Sequence, residues 1–589
     1  MKTKSLPLST SAVSSGRPKR SFSKLFFFVL ALVPFLRTCY VVASTGADCI
    51  SNDDILFLSL TENMLSGAYD WRNYFQDTFI NGHCAAAAQA FFMLAGPSVG
   101  WNQYLLCSSG IVLAVLRMHF TTKFLCASTE QKHYWPVLAL VSWMLFSFSQ
   151  ISLFTTGIFS VVWQSCLLFG TLAAYLLWRY PDRLSVAVAA SVLGVLSCWN
   201  LAVGLPGWLV YLGIVFLRGT CKQARALTIV TGLAIASMPY FAFVVSGATH
   251  SRKFCEQYVL WVNPPFILNA LGRSFANDIG NRFGVIPSSM LAGTLGILAF
   301  ALFAWVMVRV PRFRQLLFPP FILCSWSLAL ISMIGIVRFA VAPWYALIAA
   351  LFWSGLTAAA AFVISDCLRS DKSSTMRRSL KFPALTVSSL ILLLVSIWSW
   401  QYNKSYLDKQ YFLENRTPVS ASVLRNYDIA PEAFASYVFK LHGLSTFVTG
   451  KMLERNQWSV FSQHQTWEMQ GDSIFPLAEG YSKGVSLNRA HWIKSRDQRS
   501  IVGFRTPTHL NLCLLPGGSA VWRVSLPKNK RSVNLKTTLV SAKGFLSVSD
   551  QNLVVDFSAR RGTRFDIMFR NSSFRNVVIF EYPILELRD

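Results

Sequence analysis

The sequence predicts an α-helical polytopic membrane protein of about eleven transmembrane helices, with a β-rich domain outside the membrane at its C-terminal end. Three observations lead there. The mean hydropathy of the 589 residues is +0.43, with 53% hydrophobic and 14% charged residues, which is too apolar for a soluble protein of this length. Apolar runs of roughly 20 residues, the length a helix needs to cross the hydrocarbon core, recur between residues 25 and 400. Beyond Trp400 the chain turns polar, and from about residue 501 it alternates with a period of two.

Residues 1–24 form a basic tail carrying Arg17, Lys19, Arg20 and Lys24. The apolar run behind it lacks a convincing small-residue cleavage site, Val42-Ala43-Ser44 being weak, so it is expected to stay as the first helix rather than leave as a signal peptide. The expected spans are 25–44, 103–125, 135–151, 157–178, 184–200, 204–217, 226–246, 288–308, 317–336, 341–363 and 383–400. Between 184 and 217, Trp199-Asn200 and Gly204-Leu205-Pro206-Gly207 break one long apolar run and predict a tight turn. These spans make 25–400 the membrane domain, with a first outer loop at 45–102, and leave 401–589 outside.

Short cytoplasmic loops retain Lys and Arg, so basic counts orient the bundle. With the amino terminus inside, the inner segments hold 21 basic residues and the outer loops six. The asymmetry predicts a cytoplasmic N-terminus, an odd number of spans and an extracytoplasmic C-terminal domain, periplasmic or lumenal. It also absorbs most of the net charge of +27 and excludes a nucleic-acid partner. Twelve cysteines show no metal-type spacing. In the C-terminal part, runs such as Ser519-Ala520-Val521-Trp522-Arg523-Val524 and Asn576-Val577-Val578-Ile579-Phe580 suggest a small β-sandwich or barrel.

The first 400 positions contain twelve acidic residues, and six of them, Asp48, Asp53, Asp54, Glu62, Asp70 and Asp77, crowd into the first outer loop. This loop spans roughly 58 residues, too long for a plain connector. Ile55, Leu58, Leu60 and Met64 have helical spacing over 54–65, with Ser51-Asn52-Asp53 offering caps, and a second helix is expected over 83–94. Asp70 and Asp77 flank Trp71-Arg72-Asn73-Tyr74-Phe75, a mixture that suits sugar stacking and equally suits surface packing.

No glycine-rich phosphate loop, zinc-type histidine pair or Gly-x-Ser-x-Gly elbow is present in the outer segments. What carboxylates at a membrane surface can still do is general-base or metal-assisted group transfer: one takes the proton of an acceptor hydroxyl while Arg or Lys neutralises a leaving lipid phosphate. Arg252, Lys253, Arg273, Arg282 and Arg338 are five of the six outer basic residues. Arg338 ends an apolar helix in Gly335-Ile336-Val337-Arg338-Phe339-Ala340-Val341-Ala342-Pro343-Trp344-Tyr345, where a charge needs a partner, a ligand or a route to the interface.

This arrangement resembles the GT-C superfamily of integral-membrane glycosyltransferases. The features that carry the resemblance are a long first outer loop with Asp53-Asp54 about ten residues after the first helix, interfacial helices, many spans, Arg338 followed by Pro343 and Tyr345, and an outer C-terminal domain. The resemblance implies transfer of a sugar from a polyisoprenyl-phosphate donor to a glycan, lipid or protein acceptor. It implies Asp53 or Asp54 as catalytic base or as the residue positioning a metal and the acceptor. Arg338 and Tyr345, with Arg252, Lys253, Arg273 or Arg282, would match the region around the lipid phosphate, and Asp70 and Asp77 would contact substrate. No cofactor is required by a motif, and a divalent metal is the one the carboxylates admit. The turn near 152–156 lacks the second acidic motif of oligosaccharyltransferases, so the likeness is closer to bacterial mannosyltransferase-like and aminoarabinose-transferase-like members. Two other classes remain: a transporter or flippase for a lipid-linked glycan, and a non-enzymatic envelope assembly factor with a carbohydrate-binding outer domain.

Overall fold

The structure is a computed structural model. It describes residues 19–45, 50, 54–80, 83–129, 133–218, 222–245, 263–273, 288–337, 345–369, 385–397 and 446–459, and the strands between 501 and 588. The helices are α1 (Lys19–Thr45), α2 (Asp54–Leu65), α3 (Tyr74–Asp77), α4 (Ala86–Ser98), α5 (Gln103–Leu125), α6 (Tyr134–Leu145), α7 (Ile151–Phe154), α8 (Gly157–Arg179), α9 (Leu184–Asn200), α10 (Gly207–Arg218) and α11 (Lys222–Val245). They continue with α12 (Pro264–Gly272), α13 (Ser288–Arg309), α14 (Pro311–Val337), α15 (Ala346–Arg369), α16 (Leu385–Ile397) and α17 (Thr446–Asn456).

Among the described residues, seven helices are long and apolar enough to cross a membrane: those in α1, α5, α8, α11, α13, α14 and α15. Four shorter apolar helices, Tyr134–Leu145, Leu184–Asn200, Ala202–Arg218 and Leu385–Ile397, lie where the remaining apolar runs were expected. The protein is therefore a largely helical membrane protein. Apolar character on every side marks a helix for the interior of a bundle. Accordingly α8 and α15 are the most enclosed, with 83% and 89% of their spans buried.

Two features decide how the helices approach. At Gly110 of α5 a Cβ would fall on the Ser160 Oγ of α8, so only glycine lets these helices lie this close. At the break predicted near 199–207 the chain leaves α9 and makes a 3-10 turn over Ala202–Gly204, with Leu205 N donating to Ala202 O at 3.0 Å before α10 starts.

The loop and bundle contacts separate two ends. At one end, Arg218 lies over the Trp178 ring at 4.5 Å, Arg225 pairs with Asp182 at 3.6 Å, and His119 Nδ1 meets Tyr134 Oη at 2.8 Å. At the other end, Phe75 packs on Trp199 and Phe79 on Tyr240, so the acidic loop sits over the opposite ends of α9 and α11. The turns carrying Arg179, Arg183, Arg218 and Lys222 and the acidic loop thus occupy opposite ends of the bundle. If the acidic end faces outward, a thiol reagent added from outside should label cysteines engineered near residues 60 and 480 and spare one near 375. Labelling at 375 instead would reverse the orientation.

Among the described residues of 501–588 the strands pair antiparallel in two three-stranded sheets and one two-stranded sheet. β3 (Ile501–Arg505), β4 (Leu510–Leu514) and β9 (Val578–Glu581) form the first, in the order β3-β4-β9. β5 (Ser519–Ser525) and β7 (Leu553–Ala559) flank β8 (Arg564–Asn571) in the second. β6 (Ser532–Lys536) pairs with β10 (Ile584–Arg588).

Candidate functional site

The acidic loop folds as two stacked helices with a polar segment between them. Helix α2 buries Phe57, Leu58, Thr61 and Met64; of the residues expected along one face, Leu58 and Met64 are buried, Leu60 is half-buried and the side chain of Ile55 lies outside the described residues. Against it lies α4: Phe92 meets Phe57 edge-on at 5.4 Å, and Gln89 Nε2 donates to Thr61 Oγ1 at 2.8 Å and to Phe57 O at 3.3 Å. The helix expected over 83–94 begins later, at Ala86. Residues 83–84 instead form β2 (His83–Cys84), paired with β1 (Phe79–Ile80) in a hairpin too short to leave a period in the sequence.

Between α2 and α4 the chain exposes its polar groups. Gly67 takes φ +72, a left-handed turn that a side chain would strain, and reverses the chain after α2. Asp70 then caps a 3-10 turn, its Oδ1 accepting from Arg72 N at 3.1 Å, and its side chain remains 57% exposed. Trp71 stacks on Tyr74 at 5.9 Å, and both Trp71 and Phe75 stay exposed beside Asp70 and Asp77. Burial raises the Tyr69 hydroxyl pKa above its ordinary value, and neighbouring Asp77 raises it further. Burial likewise pushes the Tyr74 hydroxyl up to about 12, where it is a neutral donor to Ala86 O at 2.6 Å. The surface is one of open carboxylates, exposed aromatic faces and neutral hydroxyls.

A strap closes over this loop. Helix α17 and the residues behind it reach it from the far side of the sequence. Arg455 pairs with Glu62, Asn456 Nδ2 donates to Glu62 Oε1 at 3.1 Å, and Ile50 N donates to Ser459 Oγ at 3.3 Å. Ser459 N donates to Gly100 O at 2.7 Å, and the Trp458 ring leans on Trp101 at 6.1 Å. Glu62, one of the six clustered acids, is thereby engaged in holding the strap, which leaves the catalytic question to the other five.

The expected site residues fall into three groups. Asp70 and Asp77 are brought together on the exposed aromatic segment. Arg273 and Tyr345 both lie at α12, at its opposite ends. Asn263 caps this helix by accepting from Phe266 N at 3.2 Å with Pro264 in its first turn, so Asn263-Pro264-Pro265 starts a helix rather than shaping a loop. Arg273 ends α12, and buried Tyr345 packs edge-on against its Phe266 at 6.1 Å. No ion pair among the described residues joins Arg273 to Asp70 or Asp77. The third group, Asp53, Arg252, Lys253, Arg282 and Arg338, lies outside the described residues, as does the side chain of Asp54, whose backbone opens α2. No group of three or more His, Cys, Asp or Glu side chains able to hold a metal occurs among the described residues.

One residue was missed entirely from the sequence: Arg117, in the middle of α5 and fully buried. Counting charges loop by loop passes over a charge inside a span, and that position was its signal.

No family model and no curated protein matches this chain. Solved structures similar to it include ArnT from Cupriavidus metallidurans bound to undecaprenyl phosphate, at 13% identity and a TM-score of 0.40, covering 74% of this chain and 89% of that one. The oligosaccharyltransferase of Archaeoglobus fulgidus in its apo form is similar at 10% identity and a TM-score of 0.39 over 72% of this chain. This chain spans 61% of the length of that oligosaccharyltransferase. These figures describe a similarity and assign no activity.

Proposed function

We propose that the protein is a membrane glycosyltransferase of GT-C type with eleven spans, the seven long helices and the four shorter ones. It would transfer a sugar from a polyisoprenyl-phosphate donor to an acceptor on the extracytoplasmic side, beneath a β-rich outer domain. The observation that carries this is the folded acidic loop, held rigid by the 446–459 strap and opening a carboxylate and aromatic surface at the end of the bundle away from the basic turns. Rigid support with open polar groups is what a positioned reaction needs, and a mere connector needs neither.

In this mechanism Asp53 or Asp54 removes the proton from the acceptor hydroxyl as its oxygen attacks the anomeric carbon of the donor. The bond from that carbon to the lipid phosphate breaks, and the electron pair leaves with the phosphate oxygen. Arg338, with Arg252, Lys253, Arg273 or Arg282, stabilises the charge developing there. Asp70, Asp77 and the ring faces of Trp71 and Phe75 hold a sugar, the carboxylates accepting from its hydroxyls. A divalent metal would be held by the same first-loop carboxylates.

The test is transfer of labelled sugar from a polyisoprenyl-phosphate donor by the purified protein in liposomes, with a nucleotide sugar as the control donor. Transfer from neither donor, or only from the nucleotide sugar, ends this assignment. Arg338→Ala should weaken donor use by the loss of a charge-assisted contact of about 1.5–3 kcal/mol, and Arg338→Lys should restore it only in part because the two-pronged geometry is lost. Unchanged transfer by Arg338→Ala would leave that side chain merely reaching for the interface.

A further inference from the structure

We propose that the cleft between α1, α6, α15 and α16 holds one acyl chain of an anionic phospholipid from the leaflet at the basic end of the bundle. This goes beyond the function assigned above and does not rest on it. The cleft is half open and has a volume of about 540 Å³. That lies within the roughly 300–1,000 Å³ of ligand sites, and at about 30 Å³ per methylene, close to the share of a water in the liquid, it takes roughly 18 of them, one chain.

The walls are graded from one end to the other. Phe27 and Leu30 of α1, Leu140 of α6, Ala361 of α15 and Leu392 of α16 make them apolar. Trp143, the lining residue farthest along α6, spends its Nε1 on Leu30 O at 3.0 Å and so pins α6 to α1 at the inner limit of the cleft. The remaining polar groups among the described lining residues are His133 and Ser365, and both stand toward the basic end. His133 precedes α6, whose Tyr134 meets His119 at that end, and its ring lies 5.4 Å from that of Phe362, one turn short of Ser365 on α15. Polar at the mouth and apolar farther in is the order of groups in a lipid just below its headgroup. Leu25, Val29 and Leu36 leave α1 exposed and apolar along its length, so a chain can enter sideways from the bilayer.

Charge then identifies the headgroup. Lys24 is exposed one turn before Phe27 on the same side of α1, and Lys19 and Arg20 precede it. The sequence that joins α15 to α16 carries Lys372, Arg377, Arg378 and Lys381 against Asp371 alone. Three of the four helices that wall the cleft thus begin or end in basic sequence at its polar end. Basic groups at the membrane face attract anionic phospholipids, and pockets between helices beneath them hold the headgroup in place. A neutral phospholipid would gain the same apolar walls and forgo the charges.

The test offers the full-length protein, delipidated in a neutral detergent, equal amounts of phosphatidylglycerol and phosphatidylcholine with the same chains, and counts bound lipid by native mass spectrometry. The wild type is expected to keep phosphatidylglycerol over phosphatidylcholine about tenfold or more, the effect of two or more basic groups near the headgroup. Ala361→Phe puts a ring into the cleft and should lower retained phosphatidylglycerol about tenfold, whereas Leu298→Phe, on the exposed side of α13, should leave it unchanged. Lys24→Gln, at an exposed position, should cut the preference about fivefold, the share of one charge. If Ala361→Phe does not fold, the wild-type competition and Lys24→Gln still decide. Equal retention of the two lipids by the wild type overturns the proposal, as does an Ala361→Phe protein that keeps phosphatidylglycerol as the wild type does.

Discussion

Asp53→Asn or Asp54→Asn is expected to lower sugar transfer by about 10²–10⁴-fold, the usual contribution of a general base, while the protein inserts and melts as before. Asparagine keeps the size of the side chain and can still cap a helix, so α2 should start where it does now. The strap provides an internal check on folding. Its contacts run to Glu62, Gly100 and Ile50, and an altered carboxylate at 53 or 54 removes none of them. The measurement is labelled-sugar transfer in reconstituted membranes with thermal unfolding followed in parallel. Should both variants transfer normally, or lose transfer only because they unfold, the pair is a helix cap and the mechanism has no base.

The second large effect is structural. Gly293→Ala should destabilise the protein by about 1–3 kcal/mol or more, because the new Cβ would lie 2.1 Å from Leu268 O. That neighbour is backbone and cannot rotate away. The crossing is tight from both sides, since a Cβ on Gly272 would lie 1.7 Å from Ser289 O. Relief therefore requires α12 to move off α13, and Arg273 at the end of α12 would move with it. Gly213→Ala is the matching control: a Cβ there meets nothing within 4 Å, and helix propensity favours alanine by about 1 kcal/mol. Thermal unfolding and monodispersity in detergent compare the two, and equal stability would mean that α12 and α13 can separate without loss.

What the sequence made legible, and what it hid, follows from the range of the interactions. Helix α2 was readable because Leu58 and Met64 recur at helical spacing within one short segment. The break at 199–207 was readable because Gly204, Pro206 and Gly207 act locally on the backbone. The 79–84 hairpin has two residues per strand, too few to show a period. Helix α12 hid inside an apparent loop, although Asn263-Pro264 is a start signal when taken by itself. Glu62 read as one more acid in a cluster because its partner Asn456 lies 394 residues away. Arg117 lies inside an apolar span, so charges counted loop by loop passed over it. Asp70 and Asp77 lie exposed on a segment whose aromatic residues the sequence allowed equally as a sugar surface or as surface packing.

The strap also dictates an order of synthesis. The bond from Ile50 to Ser459 spans 409 residues, and its far partner leaves the ribosome after all the apolar helices described between them. At about 5–20 residues per second, the acidic loop waits roughly 20 to 80 s on the membrane surface before its clasp arrives. During that interval Trp101, held at φ 53 in a conformation few bulky residues adopt, lacks the Trp458 ring that later covers it. Completion of the loop's surface is thus tied to completion of the bundle, so a nascent chain halted anywhere before residue 446 presents its carboxylates on a loop that rests on α9 and α11 but still lacks its clasp.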